Sequence, residues 1–184
     1  MAFFQQSISD DPMGAMTSNV TLRRAAAADL DAIMAIERTP GFERFVGRST
    51  ESEHRAFMAS ANHLYFVGEE VGGVIAFAIL RDVEDAHGNV YLKRVAVARP
   101  GEGLGAAFLA LIVAWAFAQE GPHRFWLDCF QHNARAQRVY AKLGFSRDGV
   151  LRQAYRAADG SRHDLVMMAL TRPEWMRARE AGPV

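Results

Sequence analysis

The segment VAVARPGEGLGAAFLA, from Val95 to Ala110, joins an apolar strand to an apolar helix through three closely spaced glycines. Gly101, Gly103 and Gly105 give this joint unusual backbone freedom and remove the Cβ atoms that would block a close approach. The helix that follows begins with unpaired N–H groups and a partial positive charge. The joint is therefore either a tight turn that needs positive φ or a cradle for a phosphate group.

The spacing of the glycines narrows the kind of phosphate site. Ala106 stands where the dinucleotide pattern G-x-G-x-x-G has its third glycine, and no Gly-Lys-Ser/Thr follows as in a nucleotide P-loop. The pattern that fits is an apolar strand, then x-G-x-G-x-G/A, then a helix. If the joint binds a phosphate, its glycine spacing therefore indicates neither a dinucleotide site nor a nucleotide P-loop.

The length of 184 residues predicts one domain, and half of the residues are apolar, enough for a sizeable core. Residues 1–18 show no clear period and are interpreted as a flexible extension before a domain at 19–184. No apolar run approaches the ~20 residues of a membrane span, and no basic segment precedes an apolar core at the N-terminus. We therefore expect a cytoplasmic protein with no membrane partner.

The charge, cysteine and histidine content argues against a nucleic-acid binder, a disulfide-bonded protein and a metalloprotein. The formal net charge is zero, whereas a dedicated nucleic-acid binder usually carries a basic surplus, so no nucleic-acid partner is expected. Cys129 is the only cysteine, which rules out an internal disulfide. The histidines show no H-x-x-x-H pair, so we predict no metal site.

Hydrophobic periodicity gives the order strand, two helices, three strands, helix, strand, helix, two strands, then a short polar helix or tail. Antiparallel strands followed by a strand–helix–strand crossover predict an α/β fold with a mixed, mostly antiparallel sheet. We expect about seven strands flanked by about four helices. Asp29, and Ser49 or Thr50, are the expected caps of the first two helices.

A second motif is QHNARAQRVYAKLGF, from Gln131 to Phe145, which predicts a short helix ending at Gly144. Asn133 and Tyr140 are seven residues apart, about two helical turns, and so share one face. Without the glycine joint, the helical spacing of Tyr140 favours an amphipathic core tyrosine, and the position of Asn133 is also that of an N-cap.

Together the two motifs resemble the GNAT superfamily of acyl-CoA-dependent N-acetyltransferases over roughly residues 21–170. That family's loop is R/Q-x-x-G-x-G/A, and its second helix carries N-x-x-A-x-x-x-Y-x-x-x-G-F. Pro100 departs from the loop pattern and removes one N–H donor, with Arg99 one place earlier. The resemblance implies acetyl-CoA as cosubstrate, held by Val95, Ala96, Val97, Arg99, Gly101, Glu102, Gly103, Leu104, Gly105, Ala106, Asn133, Ala136 and Tyr140.

Within the superfamily, the last hairpin, with RHDLVMM from Arg162 to Met168, is similar to the branch of ribosomal-protein and polyamine acetyltransferases. The implied reaction is direct attack of a neutral amine on the acetyl thioester. The strand N–H groups around residues 95–97 are expected to stabilise the oxyanion, and Tyr140 to protonate the leaving thiolate.

The proton acceptor is less well defined, because Tyr91 occupies the place where many relatives have a glutamate. Glu37, at the end of the first predicted helix, is the leading candidate. Further candidates by residue type are Glu51, Glu53 and Asp128, and, through water, His132 and His87.

Two other functions stay open at this point. One is a non-catalytic acyl-CoA-binding sensory domain, and the other is an interaction module with a tight glycine turn. For an enzyme, the acceptor is a small-molecule or peptide amine: a protein N-terminus, a polyamine or an amino sugar. The Phe- and Met-rich ends of the chain are compatible with a homodimer.

Overall fold

A computed structural model of the protein describes residues 20–181, so the predicted extension at 1–18 lies outside the described residues. One sheet contains seven strands: β1 (Thr21–Arg24), β2 (His63–Glu70), β3 (Gly73–Arg81), β4 (Asn89–Val97), β5 (Arg124–Phe130), β6 (Ser146–Arg156) and β7 (Arg162–Thr171). The described α-helices are α1 (Leu30–Glu37), α2 (Glu51–Ala59), α3 (Leu104–Ala118), α4 (Ala134–Lys142) and α5 (Arg172–Glu180). The predicted α/β fold is confirmed, and the polar C-terminal segment forms a fifth helix.

The strand order is β1-β2-β3-β4-β5-β7-β6, and every pair is antiparallel except β4 with β5. Two parallel neighbours need a crossover, which α3 supplies. The β4–β5 pairing runs only from Asn89–Arg124 to Leu92–Leu127. Beyond these residues the two strands separate, and a cleft opens in the middle of the sheet.

Strand β4 carries an irregularity at the start of this cleft. Ile79 of β3 faces Arg94, but the next residue, Leu80, faces Leu92, so Lys93 is an extra residue in β4. Such a bulge changes which side chains point to each face of the sheet. Beyond it, Ala96 packs with the apolar residues under α1, while Val95 contacts the core cluster that contains α3.

Apolar side chains cover both faces of the sheet. The larger cluster includes Phe108 and Ile112 of α3 and Phe125 of β5, while the smaller one includes Ile33 of α1 and Phe77 of β3. No helix within residues 20–181 is long and apolar enough to cross a membrane.

The helix starts show how local sequence sets the elements around the cleft. Thr50 caps α2: its side chain accepts from the Glu53 N–H at 3.3 Å, and the Glu53 carboxylate accepts from the Thr50 N–H at 2.7 Å. Asp29 is the N-cap residue of α1, as expected, but its side chain makes no capping hydrogen bond to this helix. Its carboxylate instead accepts from the Ala26 N–H at 2.7 Å and pairs with Arg23 at 2.7 Å.

Candidate functional site

The glycine joint between β4 and α3 has positive φ values at two of its glycines, as a tight turn there requires. Gly101 has φ of 112° and Gly103, the residue before α3, has φ of 80°. Both values lie in the region that favours glycine. Gly105 differs, because it lies in the first helical turn and a Cβ there would meet only Val97 Cγ1, at 3.9 Å.

This joint leaves donors available at the start of α3. Among the described residues, the N–H groups of Leu104 and Gly105 have no acceptor, while those of Ala106 and Ala107 donate to the Gly103 carbonyl at 3.0 and 3.1 Å. Free N–H groups and the positive end of a 15-residue helix suit an anionic ligand. Bare glycines in front of them allow a phosphate to approach, so the joint suits a phosphate group.

Two arginines, Arg99 and Arg135, lie beside the joint. Arg99, predicted as a phosphate ligand, pairs with Glu70 at 2.6 Å and with Glu102 at 2.9 Å. Arg135, in the first turn of α4, places its Nη2 only 3.6 Å from where a Gly101 Cβ would lie. Within the described part of the chain, Arg135 makes no ion pair. Sequence reasoning missed it, although it lies inside the Asn133–Ala136 motif.

Substitutions at two of the glycines separate backbone strain from ligand access. We expect Gly103→Ala to destabilise the fold by about 1 kcal/mol or more, because alanine is strained at φ of 80°. Gly105→Ala should leave stability unchanged or raise it by about 0.5–1 kcal/mol, because the site is helical and has room. Urea unfolding of the two variants measures the difference. Equal destabilisation by both would contradict this assignment.

The cleft between β4 and β5 contains a cavity of about 160 Å³. It is lined by the α1–α2 connection, the separated parts of both strands, and one face of α4. The lining residues are Phe45, Val46, Gly47, Leu92, Lys93, Arg94, Val95, Leu127, Asp128, Cys129, Asn133, Ala136 and Tyr140. Val95, Asn133, Ala136 and Tyr140, all predicted cofactor contacts, therefore come together, while Ala96 and Val97 are buried next to Val95.

Tyr140 of α4 is buried, and burial raises its pKa above the ordinary value. Its hydroxyl has no hydrogen-bond partner among the described residues, yet no buried side-chain oxygen or nitrogen there lacks a partner. Tyr140 is one of the residues that line the cavity. A phenol with a raised pKa stays protonated at neutral pH and can donate a proton there.

Asn133 begins α4 as an N-cap, with its side-chain oxygen accepting from the Ala136 N–H at 3.1 Å. The capping interpretation of Asn133 therefore holds, and it leaves the side-chain NH₂ group free to donate. The same residue lines the cavity, so one side chain fixes the start of α4 and presents a donor to the cleft.

Asp128 of β5 is the carboxylate that lines the cavity. The Tyr91 hydroxyl donates to Asp128 Oδ2 at 2.7 Å, and the Tyr91 ring stacks on Trp126 with centroids 4.2 Å apart. Burial and the Asp128 charge raise the pKa of Tyr91, so this hydroxyl stays a donor. Tyr91 thus orients Asp128, and the other Asp128 oxygen accepts no hydrogen bond from another described residue.

Glu37, at the end of α1, is fully buried, and Oε1 pairs with Arg94 Nη1. Its Oε2 accepts from the Ser49 N–H at 3.1 Å and lies 3.4 Å from His54 Nε2. Because a carboxylate only accepts, Nε2 carries a proton, and His54 Nδ1 lies 2.9 Å from the Tyr65 hydroxyl.

Burial acts to raise the pKa of Glu37, but the His54 hydrogen bond, the Arg94 charge and the Ser49 N–H outweigh it. The net result is a pKa below the ordinary value. A weakly basic, enclosed carboxylate is suited to holding Arg94 rather than to taking a proton from a substrate.

The remaining candidate bases are not among the residues that line the cavity. Glu53 caps α2, and Glu51 pairs with Arg55 at 2.7 Å on the exposed face of that helix. His87 follows Asp85 in an exposed turn, and its N–H donates to that carboxylate. His132 stacks on Phe130, with centroids 5.2 Å apart, in the turn after β5.

Cys129 lines the cavity beside Tyr140. Burial and the neighbouring Asp128 charge raise the pKa of its thiol to about 11. The thiol is therefore protonated at neutral pH, which argues against a nucleophilic role, because the reactive form is the thiolate.

With this geometry described, comparison with known proteins identifies the family. A model of the Acetyltransferase (GNAT) family matches residues 30–145, and the chain belongs to this family. The ribosomal protein uS5-alanine N-acetyltransferase of Escherichia coli is 35% identical over 80 residues, which cover 42% of this chain and 41% of that one. The ribosomal protein bS18-alanine N-acetyltransferase of Haemophilus ducreyi is 30% identical over 110 residues, covering 60% of this chain and 74% of that one.

Solved structures show the same fold. The ribosomal-protein-S18-alanine N-acetyltransferase of Escherichia coli superposes with a TM-score of 0.66 at 27% identity, covering 83% of this chain and 93% of that one. The spermidine N-acetyltransferase of Vibrio cholerae, solved in complex with CoA and spermine, superposes with a TM-score of 0.76 at 18% identity. The superposition covers 87% of this chain and 99% of that one. The match to the uS5 enzyme spans about two fifths of its length.

Proposed function

We propose that this protein is an acetyl-CoA-dependent N-acetyltransferase that acts on a primary amine. The observation that carries the proposal is the cleft itself. It places a protonated phenol, Tyr140, and a carboxylate, Asp128, in one cavity beside a glycine joint with free N–H groups. The family and the relatives named as N-acetyltransferases support the same reaction.

In this proposal the glycine joint holds the pyrophosphate through the N–H groups of Leu104 and Gly105 and the guanidinium of Arg135. Asn133 donates to the pantetheine arm from the start of α4. Among the described residues, strand β4 has no partner on its β5 side beyond Leu92, so the backbone of Val95 is free to contact a carbonyl oxygen in the cleft. Bound acetyl-CoA supplies a thioester that a neutral amine can attack.

The protein's own groups then handle two protons. Asp128 takes the proton from the incoming amine, because it is the carboxylate lining the cavity and Tyr91 fixes its orientation. Tyr140 gives its hydroxyl proton to the leaving sulfur. Glu37, the leading sequence-based candidate for proton acceptor, takes a different role here: it positions Arg94 from inside the protein.

The role of Asp128 predicts a pH-dependent defect. Asp128→Asn should lower kcat/KM for the amine by about 10²-fold at neutral pH, because an amide cannot accept the proton. The defect should shrink at pH values where the free amine is already neutral. Asp148→Asn, on the surface next to Arg124, is the matched control. A defect of equal size at every pH would argue that Asp128 has no proton-transfer role.

The role of Arg135 predicts a change in cosubstrate affinity. Arg135→Ala should raise KM for acetyl-CoA about tenfold at low salt, because a charge-assisted contact to phosphate is lost. The difference from the unmodified protein should narrow as ionic strength rises. Arg138→Ala, an exposed residue of the same helix, is the control. An unchanged KM for acetyl-CoA would remove Arg135 from the cosubstrate site.

Release of the CoA thiol from acetyl-CoA, followed with a panel of primary amines, tests the proposed function. The panel contains alanine-initiated peptides, polyamines and amino sugars. We expect thiol release that depends on at least one amine and is absent without it. Binding of acetyl-CoA with no amine-dependent release would instead favour the non-catalytic acyl-CoA-binding domain.

A further inference from the structure

Arg94 enters the cavity with one half of its guanidinium group fixed. Its Nη1 donates to Glu37 Oε1 and to Ser49 Oγ, the latter at 3.3 Å. The Glu37 carboxylate is itself held by the Ser49 N–H and by His54, so the acceptor of this contact has a fixed position. The guanidinium is planar, and fixing one nitrogen therefore fixes the direction of the others.

The other half of the guanidinium is free. Arg94 Nη2 has no acceptor among the described residues, and no buried side-chain nitrogen there lacks a partner, so Nη2 is open to solvent. Gly47 lines the same cavity, and a Cβ at this position would lie 3.1 Å from Nη2. Gly47 has no positive φ that would require glycine. Its lack of a side chain is explained by the space that Nη2 needs.

The charges around the cleft restrict what can bind beside Nη2. The cavity is lined by one carboxylate, Asp128, and by two cationic residues, Lys93 and Arg94. A neighbouring open cavity of about 560 Å³ also has one carboxylate, Asp164, which accepts from the Gln153 N–H, and one arginine, Arg162. A polyamine carries several ammonium groups but no acceptor oxygen, so it offers no partner for Nη2, and beyond Asp128 its further amines meet one carboxylate, Asp164, in the lining of the two cavities.

We propose that Arg94 Nη2 binds the carbonyl oxygen next to the amine that is acetylated, so that the acceptor is an α-amino carbonyl compound such as a peptide N-terminus. This inference rests on the proposed acetyltransferase function. Asp128 on β5 and Arg94 on β4 line one cavity, which lets the amine meet the first while its carbonyl meets the second. Arg94 is then a specificity-determining residue, and Glu37 and Gly47 position it.

Three amines test the proposal on the unmodified protein: L-alaninamide, 2-aminobutane, which has an ethyl group in place of the carboxamide, and spermidine. Rates are expressed per unprotonated amine, because α-amino groups and aliphatic amines differ in pKa by about two units or more. We expect kcat/KM for L-alaninamide to exceed that for each of the other two by at least about tenfold, the effect of one hydrogen bond to a charged group. Equal or faster acetylation of 2-aminobutane or spermidine would overturn the proposal.

Two variants test the residue assignment. Arg94→Met should bring the alaninamide to 2-aminobutane ratio close to one, while KM for acetyl-CoA stays unchanged. Gly47→Ala displaces Nη2 without removing any charge, and should raise KM for L-alaninamide without changing that for 2-aminobutane. If Arg94→Met folds and still prefers L-alaninamide to 2-aminobutane, the role of Arg94 is overturned. If Arg94→Met does not fold, the same preference in Gly47→Ala overturns it. Absence of turnover with every amine would count against the proposed function itself.

Discussion

Tyr140→Phe is expected to lower kcat by about 10²–10⁴-fold while leaving KM for acetyl-CoA within about twofold. The variant removes only the hydroxyl that donates the proton to the leaving sulfur, and proton transfer by a positioned side chain contributes about that much to a rate. The phenylalanine ring keeps the packing of this buried position against Phe145, whose ring centroid lies 6.0 Å away. Steady-state kinetics of CoA thiol release with a fixed amine measure both constants.

Tyr155→Phe is the matched control for this substitution. Tyr155 lies on the edge strand β6, is 38% exposed, and its hydroxyl makes no hydrogen bond to another described residue. We expect this variant to keep kcat within about twofold. If Tyr140→Phe behaved in the same way, the thiolate would leave without a proton from Tyr140.

Glu37→Leu is expected to destabilise the folded protein by about 3–5 kcal/mol. The substitution leaves the Arg94 guanidinium, whose side chain is only 10% exposed, without its carboxylate partner, and breaking a buried pair at one end carries a cost of this size. The His54 Nε2–H and the Ser49 N–H also lose their acceptor. Urea unfolding at neutral pH gives the difference in the free energy of unfolding.

Two further variants serve as controls for the loss of unfolding free energy in Glu37→Leu. Glu51→Gln removes a carboxylate that is 54% exposed and paired within α2, and should change the free energy of unfolding by no more than about 0.5 kcal/mol. The double variant Glu37→Leu, Arg94→Leu removes both buried charges and should be less destabilised than Glu37→Leu alone. A loss below about 1 kcal/mol in the single variant would show that Glu37 and Arg94 are not a tightly coupled pair.

Acid titration gives the same contact an independent test. The pKa of Glu37 is lower in the folded protein than in the unfolded chain, so its contribution to stability is present above the unfolded value of about 4.3. The contribution disappears as pH falls through the folded pKa. The stability of Glu37→Leu should therefore fall less steeply than that of the unmodified protein below about pH 4.

Local patterns predicted the elements well because the interactions that form them are local. The glycine joint, the α4 motif and the Thr50 capping box all depend on residues within a few positions of one another. The sheet followed from strand alternation and the single crossover. Asp29 shows the limit, because its carboxylate bonds Arg23 and Ala26 N–H rather than α1, and sequence spacing does not choose between these partners.

The interior of the site could not be predicted in the same way. Glu37 and Arg94 are 57 positions apart in the sequence, and their contact depends on how α1 packs on β4. The direction of Arg94 also depends on the extra residue at Lys93, which changes which side chains face α1. The available signal was a charged residue in a strand next to a candidate active site, and that pattern does not identify its partner in α1.

The chemical fate of the acetyl group tests the central claim most directly. The purified protein is incubated with acetyl-CoA carrying an isotopically labelled acetyl group and an alanine-initiated peptide, and the peptide is analysed by mass spectrometry. We predict that the label appears on the α-amine in a one-to-one ratio with released CoA thiol, and that Tyr140→Phe nearly abolishes it. Binding of acetyl-CoA with no label on this peptide or on any amine of the panel would contradict an acetyltransferase function.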